Sequence, residues 1–300
     1  MSRLVTGAVG GYALWRLLGP EPRPRFAGVQ ERPSPLTGRT VVAGRHEFFV
    51  RETGPSDGPP LVLLHGWVYD SLATWHRLAP VLAATHRLYL VDLRGHGRSA
   101  RVRGRFDIAD LADEVAAVLD CLGVGPSPVV GYSMGGMVAQ ALVHRHPGRV
   151  TRLVLAATAA HPVGWPRWVT VPLFMAGRAI SRLDRFAAPR IAHRYLLATG
   201  AVPPEHAAWL WESLLDRDLD LYYEAGFAIL RFDYGPRLGA IRVPTLSIIP
   251  TRDQLVPPHR QRATASNLPD NRVVEIEGAR HEMVLTHAGE VAAAIGAFIP

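Results

Sequence analysis

The sequence predicts an α/β fold, a mainly parallel sheet with helices on both faces. Three observations carry this. Short apolar strands alternate with amphipathic helices from residue 40 to residue 160 and again after residue 241. Helices of this length between strands make crossover connections, which join parallel neighbours. The first strand pair reads as a hairpin, so one edge is antiparallel. With 300 residues, 48% of them hydrophobic and 20% charged, the chain can bury one large core.

In order, residues 40–42 and 46–51 form the hairpin around Gly44, and 61–64 is a short apolar strand. Leu72, Trp75, Leu78 and Leu82 have helical spacing and predict a helix over 71–84. A strand follows at 87–91, then a helix over 108–122 with Leu111, Val115, Val118, Leu119 and Leu122 on one face. Residues 127–130 are a strand and 134–146 a helix, ended by Pro147, which cannot continue it. Strands at 150–156, 245–249 and 272–276 and a closing helix at 290–298 complete the alternation. Residues 161–240 interrupt it with helical pattern and no strand. They hold Trp165, Trp168, Phe174, Tyr195, Trp209, Trp211, Tyr222, Tyr223 and Phe227. This stretch reads as a helical cap whose aromatics mostly form its own core, a few of them lining an apolar pocket. The organisation expected is an apolar leader and Pro-rich linker at 1–38, a core from 39–160 and 241–300, and a cap at 161–240.

The net charge of +7 comes from 33 basic residues, all arginine, against 26 acidic ones. They are scattered, with no stripe or motif for nucleic acid, so no nucleic-acid partner is expected. A single cysteine, Cys121, excludes an internal disulfide, and its place in the 108–122 helix predicts a buried, inert thiol. Residues 4–18 are mostly apolar but broken by Arg16 and three glycines, too short to span a bilayer. A loosely docked leader, a peripheral membrane contact through residues 1–20 and a cleaved signal all fit that run. The expected location is cytoplasmic, with the membrane contact as an addition.

The strongest chemical signal is Gly131-Tyr132-Ser133-Met134-Gly135-Gly136. It follows an apolar strand and opens a long helix, the context that a G-x-S-x-G turn requires. So sharp a turn holds Ser133 in a strained conformation with its hydroxyl presented, and Gly131, Gly135 and Gly136 give the backbone room. The N–H of Met134, at the positive end of the helix dipole, is aimed at developing negative charge.

With three further segments in order, the chain resembles the α/β-hydrolase family from about residue 41 to 298. His65-Gly66-Trp67 follows a strand like the family's oxyanion loop. Asp92-Leu93-Arg94-Gly95-His96-Gly97-Arg98-Ser99 is similar to its turn after the next strand. Asp253 and His281 stand after the last two strands, where the family keeps its acid and base. The resemblance implies Ser133 as nucleophile, His281 as base and Asp253 as the carboxylate orienting it, in the family's chain order. It also implies the backbone N–H of Trp67 as an oxyanion donor beside that of Met134. Of the 13 histidines, His144, His146, His193 and His206 lie at a helix end or in the cap, and His65 and His96 read as structural. Asp216 and Asp233 are poorer acids because they lie inside the cap. Pro250 and Arg280 stand where the family often has glycine, which bears on substrate preference. Serine at the nucleophile position argues against epoxide hydrolases and haloalkane dehalogenases.

No metal-ligand pattern or phosphate loop is present, so neither a metal nor a cofactor is expected. The expected function is cleavage of a carboxylic ester, or a related acyl bond, of a small and apolar substrate through an acyl-enzyme. Carbon–carbon hydrolases, cofactor-free perhydrolases of the haloperoxidase type, thioesterases and peptidases share the same three residues. A small-molecule receptor with slow turnover is the alternative from another class.

Overall fold

The computed structural model describes residues 24, 26–33, 36–164 and 166–299. Eight strands form one sheet: β1 (Gly38–Ala43), β2 (His46–Thr53), β3 (Pro60–Leu64), β4 (Arg87–Val91), β5 (Ser127–Tyr132), β6 (Val150–Ala156), β7 (Thr245–Pro250) and β8 (Asn271–Ile276). Their spatial order is β1-β2-β4-β3-β5-β6-β7-β8, antiparallel at β1–β2 and β2–β4 and parallel elsewhere. The antiparallel edge is the predicted hairpin, turned at Gly44 with φ 61°.

The central strands β3 and β7 are almost wholly buried because both of their faces are covered, whereas the edge strands β1 and β8 keep polar, exposed positions. Val62 and Leu64 of β3 join one core, and Leu61 and Leu63 the other. The first core includes Leu111 and Val115 of α3 (Ile108–Cys121) and Val138 and Leu142 of α4 (Met134–Arg145). The second takes Trp75, Leu78 and, from the C-terminal helix, Val291 and Ile295.

Three local expectations are corrected. The single helix over 71–84 is two short ones, α1 (Ser71–Trp75) and α2 (Ala79–Leu82). Pro80 lies in the first turn of α2. It has no N–H for the His76 carbonyl, so the helix cannot run through, although the apolar spacing does. The closing helix α11 (Ala288–Phe298) is preceded by α10 (Met283–Thr286). Cys121 is exposed, its Sγ 3.2 Å from the Val42 carbonyl. It lies two positions past Leu119, off the buried stripe of α3.

Between β6 and β7 lie α5 (Arg167–Leu183), α6 (Ala187–Ala198), α7 (Ala207–Leu215) and α8 (Leu219–Arg231), with no strand among the described residues there. Trp209, Trp211 and Tyr223 are buried as expected, whereas Trp168 is 79% exposed and Trp165 lies outside the described residues. Before β1 begins at Gly38, the described part of the Pro-rich segment has no helix or strand, yet it is tied to this helical insertion. Glu31 N–H donates to the Glu205 carbonyl, Gln30 accepts from Ala208 N–H, and Arg32 pairs with Glu212. Among the described residues no helix is long and apolar enough to cross a membrane. The apolar run at 4–18 lies outside them.

Candidate active site

The chain reverses direction in the sheet at β3, with β4 on one side and β5 on the other. The carboxyl ends of β3 and β5 therefore open a crevice, the usual ligand position of an open α/β sheet. Gly66-Trp67 follows β3 and Ser133 follows β5. Ser133 alone makes the turn from β5 into α4, at φ 52° and ψ −117°. Holding a non-glycine residue there costs on the order of 1–3 kcal/mol. A Cβ at Gly131 would stand 2.4 Å from the Gly135 carbonyl oxygen, and one at Gly135 would stand 2.1 Å from that of Leu64. Gly136 is equally tight, against Thr158. These close approaches let the start of α4 press onto β3.

Ser133 Oγ lies 2.9 Å from His281 Nε2, and His281 Nδ1 lies 2.8 Å from Asp253 Oδ2. All three residues are buried. The carboxylate fixes the ring proton on Nδ1 and leaves the Nε2 lone pair facing the hydroxyl. Burial disfavours protonation of His281. The charge and hydrogen bond of Asp253 outweigh it, with help from neighbouring Glu282, and hold the imidazole above its usual range. Tyr132 Oη donates to the His281 carbonyl at 3.1 Å.

Asp253 is itself clamped. Its Oδ1 accepts from the N–H groups of Leu255 and Val256 at 2.8 and 2.9 Å. Gln261 Nε2 donates 2.9 Å to Oδ2, the oxygen facing His281, and 2.7 Å to the Val256 carbonyl. Gln261 sits on α9 (Pro258–Ser266), a polar helix without apolar spacing that sequence reasoning missed; Pro258 at its start was the only readable signal. Gln261→Met keeps the volume and removes a charge-assisted bond of roughly 1.5 kcal/mol, so kcat should fall about tenfold. Steady-state kinetics at unchanged Tm checks this, and an unchanged kcat would reduce Gln261 to packing.

The second loop is held through its peptides. His65 Nδ1–H donates 2.8 Å to the Gly66 carbonyl, while Nε2 accepts from Leu93 N–H at 2.9 Å. Burial drives the His65 pKa down to about 3, so the ring stays neutral with its proton on Nδ1. The Gly66 carbonyl and the Trp67 N–H belong to one trans peptide, so fixing the first fixes the direction of the second. His96 Nε2 lies 2.9 Å from the Trp67 carbonyl and holds the next peptide. Both histidines are thus structural, as expected, but they act on this loop. A Cβ on Gly66 would come within 3.4 Å of Ser133 Cβ, so the loop lies directly over the serine. The Trp67 indole donates 2.7 Å to the Tyr222 carbonyl and stacks on Tyr222 and Phe174 at ring separations of 4.5 and 5.5 Å. The turn at 92–99 is anchored by Asp92, which accepts from Arg51, Ser71 and Arg98 N–H.

The rejected candidates lie elsewhere. Asp216 pairs with Arg101, Asp233 accepts from Gly235 N–H, His146 pairs with Asp113, and His193 faces the Ala207 carbonyl. A buried imidazole that faces a serine hydroxyl, at the switch point of such a sheet, points to the hydrolase class. A model of the alpha/beta hydrolase fold family matches residues 59–288, and the chain belongs to that family. It is 32% identical over 241 residues to the pimeloyl-[acyl-carrier protein] methyl ester esterase of Aeromonas hydrophila subsp. hydrophila, covering 77% of this chain and 91% of the relative. To the magnesium-chelatase 30 kDa subunit of Rhodobacter capsulatus it is 30% identical, over 80% of this chain and 87% of that one. The crystal structure of the enol-lactonase from Burkholderia xenovorans LB400 superposes with a TM-score of 0.76 at 26% identity, over 87% of this chain and 99% of that one.

Proposed function

We propose that the protein cleaves a carboxylic ester through an acyl-enzyme on Ser133, with His281 as general base and then general acid, and Asp253 as its orienting carboxylate. The single observation that carries this is the hydrogen-bonded run Ser133 Oγ, His281 Nε2, His281 Nδ1, Asp253 Oδ2 at 2.9 and 2.8 Å. Ser133 Oγ bonds to the carbonyl carbon as its proton passes to His281 Nε2. The Trp67 and Met134 N–H groups hold the oxyanion; Met134 opens α4, where a helix leaves its N–H without an internal acceptor. The C–O bond to the alcohol breaks, and His281 returns the proton to the leaving oxygen. Water, deprotonated by His281, then bonds to the acyl carbon, the bond from that carbon to Ser133 Oγ breaks, and His281 returns the proton to Oγ as the acid leaves.

The enzyme is a carboxylic ester hydrolase; its acyl preference is the finer part of the proposal. Trp67, Phe174 and Tyr222 make an aromatic wall beside the serine loop, which supports an apolar acyl group. Relatives named for a methyl ester and for an enol-lactone support an ester with a small or internal alcohol. The same contacts support residues 161–240 as a cap over a core from 39–160 and 241–300. Peripheral membrane contact through residues 1–20 rests on their apolar sequence.

The test is hydrolysis of p-nitrophenyl esters from acetate to palmitate, with methyl esters of the same acids. Turnover is expected, with a preferred chain length that sizes the pocket. No turnover on any ester would overturn the reading in favour of carbon–carbon cleavage, perhydrolysis or a receptor.

A further inference from the structure

The outward face of α5 has the polarity of a core-facing helix. Trp168, Leu173, Met175, Ile180 and Leu183 are 79, 68, 60, 55 and 69% exposed, and Ile191 of α6 adds another at 72%. At about 100° per residue, the five on α5 fall within an arc of roughly 160°. Pro172, Ala176 and Ala179 fill the same arc, and all three are exposed. The opposite side meets the protein: Ser181 is buried and Phe174 stacks on Trp67. The helix contains no acidic residue, and Arg167, Arg178 and Arg182 flank the apolar arc. Isolated exposed apolar residues need no explanation, but one helical face made only of them does.

Beside this face is a cavity of about 290 Å³ between α5, α7 and α8. Arg103, Arg178, Arg182, Arg185 and Arg217 line it against Asp218 and Asp220. Asp220 is occupied by Arg178 and Arg182. Asp218 caps α8 through the N–H groups of Asp220 and Leu221, and lies 3.5 Å from Arg103. Arg217 has a cation–π contact with Tyr222 and lies in the field of Asp70 and Tyr69, with no direct hydrogen bond or ion pair among the described residues. The cavity lining therefore brings five guanidinium groups together with two carboxylates, donor chemistry that takes a phosphate.

We propose that this face of the insertion docks on the surface of an anionic phospholipid bilayer, with the apolar arc of α5 among the acyl chains and the arginine cavity on headgroup phosphate. Tryptophan and large aliphatics on one face with arginines at the margin are the pattern of an interfacial helix. A second copy of the chain is the poorer occupant, because pairing two such faces would bring their arginine margins together. The proposal does not depend on which ester the site cleaves.

Flotation of the full chain with vesicles of phosphatidylcholine, alone or with roughly 30% phosphatidylglycerol, tests it. Wild type should float with the anionic vesicles, less so at high salt. Trp168→Ser with Leu173→Ser should cut the bound fraction by about tenfold or more while leaving p-nitrophenyl acetate turnover at the wild-type rate, which also reports an intact fold. Arg217→Gln should lose the preference for anionic over neutral vesicles and keep residual apolar binding. No flotation would overturn the proposal, as would flotation that the double substitution leaves unchanged, which would move the contact to another segment such as residues 1–20. A dimer by light scattering that the double substitution converts to monomer, without flotation, would assign the face to a second copy instead.

Discussion

Replacing Ser133 by alanine will lower kcat on any hydrolysed ester by roughly a hundred thousand- to a million-fold, because the serine and its base act as one unit. On the proposed mechanism the loss belongs to kcat, since the substitution leaves in place the Trp67 and Met134 amides and the stacked rings of Trp67 and Tyr222 to which that mechanism assigns binding. Stability should scarcely change, because the alanine inherits φ 52° and ψ −117° and every neighbour of the turn. Glycine at the same position makes a sharper test. Ser133→Gly is equally inactive but releases backbone strain of roughly 1–3 kcal/mol, less about 0.4–1 kcal/mol for the greater freedom of the unfolded chain. Its denaturation midpoint should therefore exceed that of Ser133→Ala, by about 1 kcal/mol in unfolding free energy. Alanine above glycine in a urea titration would remove strain from the account of this elbow. Either variant retaining kcat would remove Ser133 as nucleophile.

The elbow was legible because a sharp strand-to-helix turn constrains the chain at five consecutive positions, and glycine is the only residue that admits such backbone contact. The end of β7 was legible for a related reason: an apolar run marks the strand, and the residues just past it must lie at one edge of a parallel sheet; β8, with Arg272 and Glu275, is marked only by its Val-Val pair and Ile276 before a glycine turn. Side-chain periodicity carries less. It ran unbroken through Pro80, where the backbone cannot follow. It said nothing of α9, which has no apolar stripe yet delivers Gln261 to Asp253. Over 161–240 it reads helices without bounds and cannot say which faces meet the protein, so Trp168 stands in the open although most of that stretch's aromatics are expected in its own core. Periodicity reports that a helix has two faces; what covers each is tertiary information. The histidines show the same limit, since His65 and His96 read as structural in sequence and only the folded chain brings them to the peptides on either side of Trp67.

Asp253→Asn will lower kcat by about ten thousand-fold, since an amide can hold the imidazole in the wrong tautomer. Its effect on pH dependence has a definite sign. His281 acts as a base only when neutral, so kcat/KM rises with pH through its pKa. In the wild type that rise lies above the ordinary histidine range, because the Asp253 charge and hydrogen bond outweigh burial. The asparagine removes both, leaving burial opposed only by Glu282, and the inflection of the residual activity moves to lower pH. Stability runs the other way. A histidine whose folded pKa is raised contributes stability that is fully present below its unfolded pKa, about 6.5, and is lost as pH rises through the folded value. The wild type should therefore lose stability across that window while gaining activity, and Asp253→Asn should show a flatter profile. Paired kcat/KM and urea titrations from pH 5 to 9 read both slopes. An inflection that stays in place in Asp253→Asn would mean that Asp253 orients the ring without setting its charge, and that Glu282 or the oxyanion loop controls the proton on Nε2.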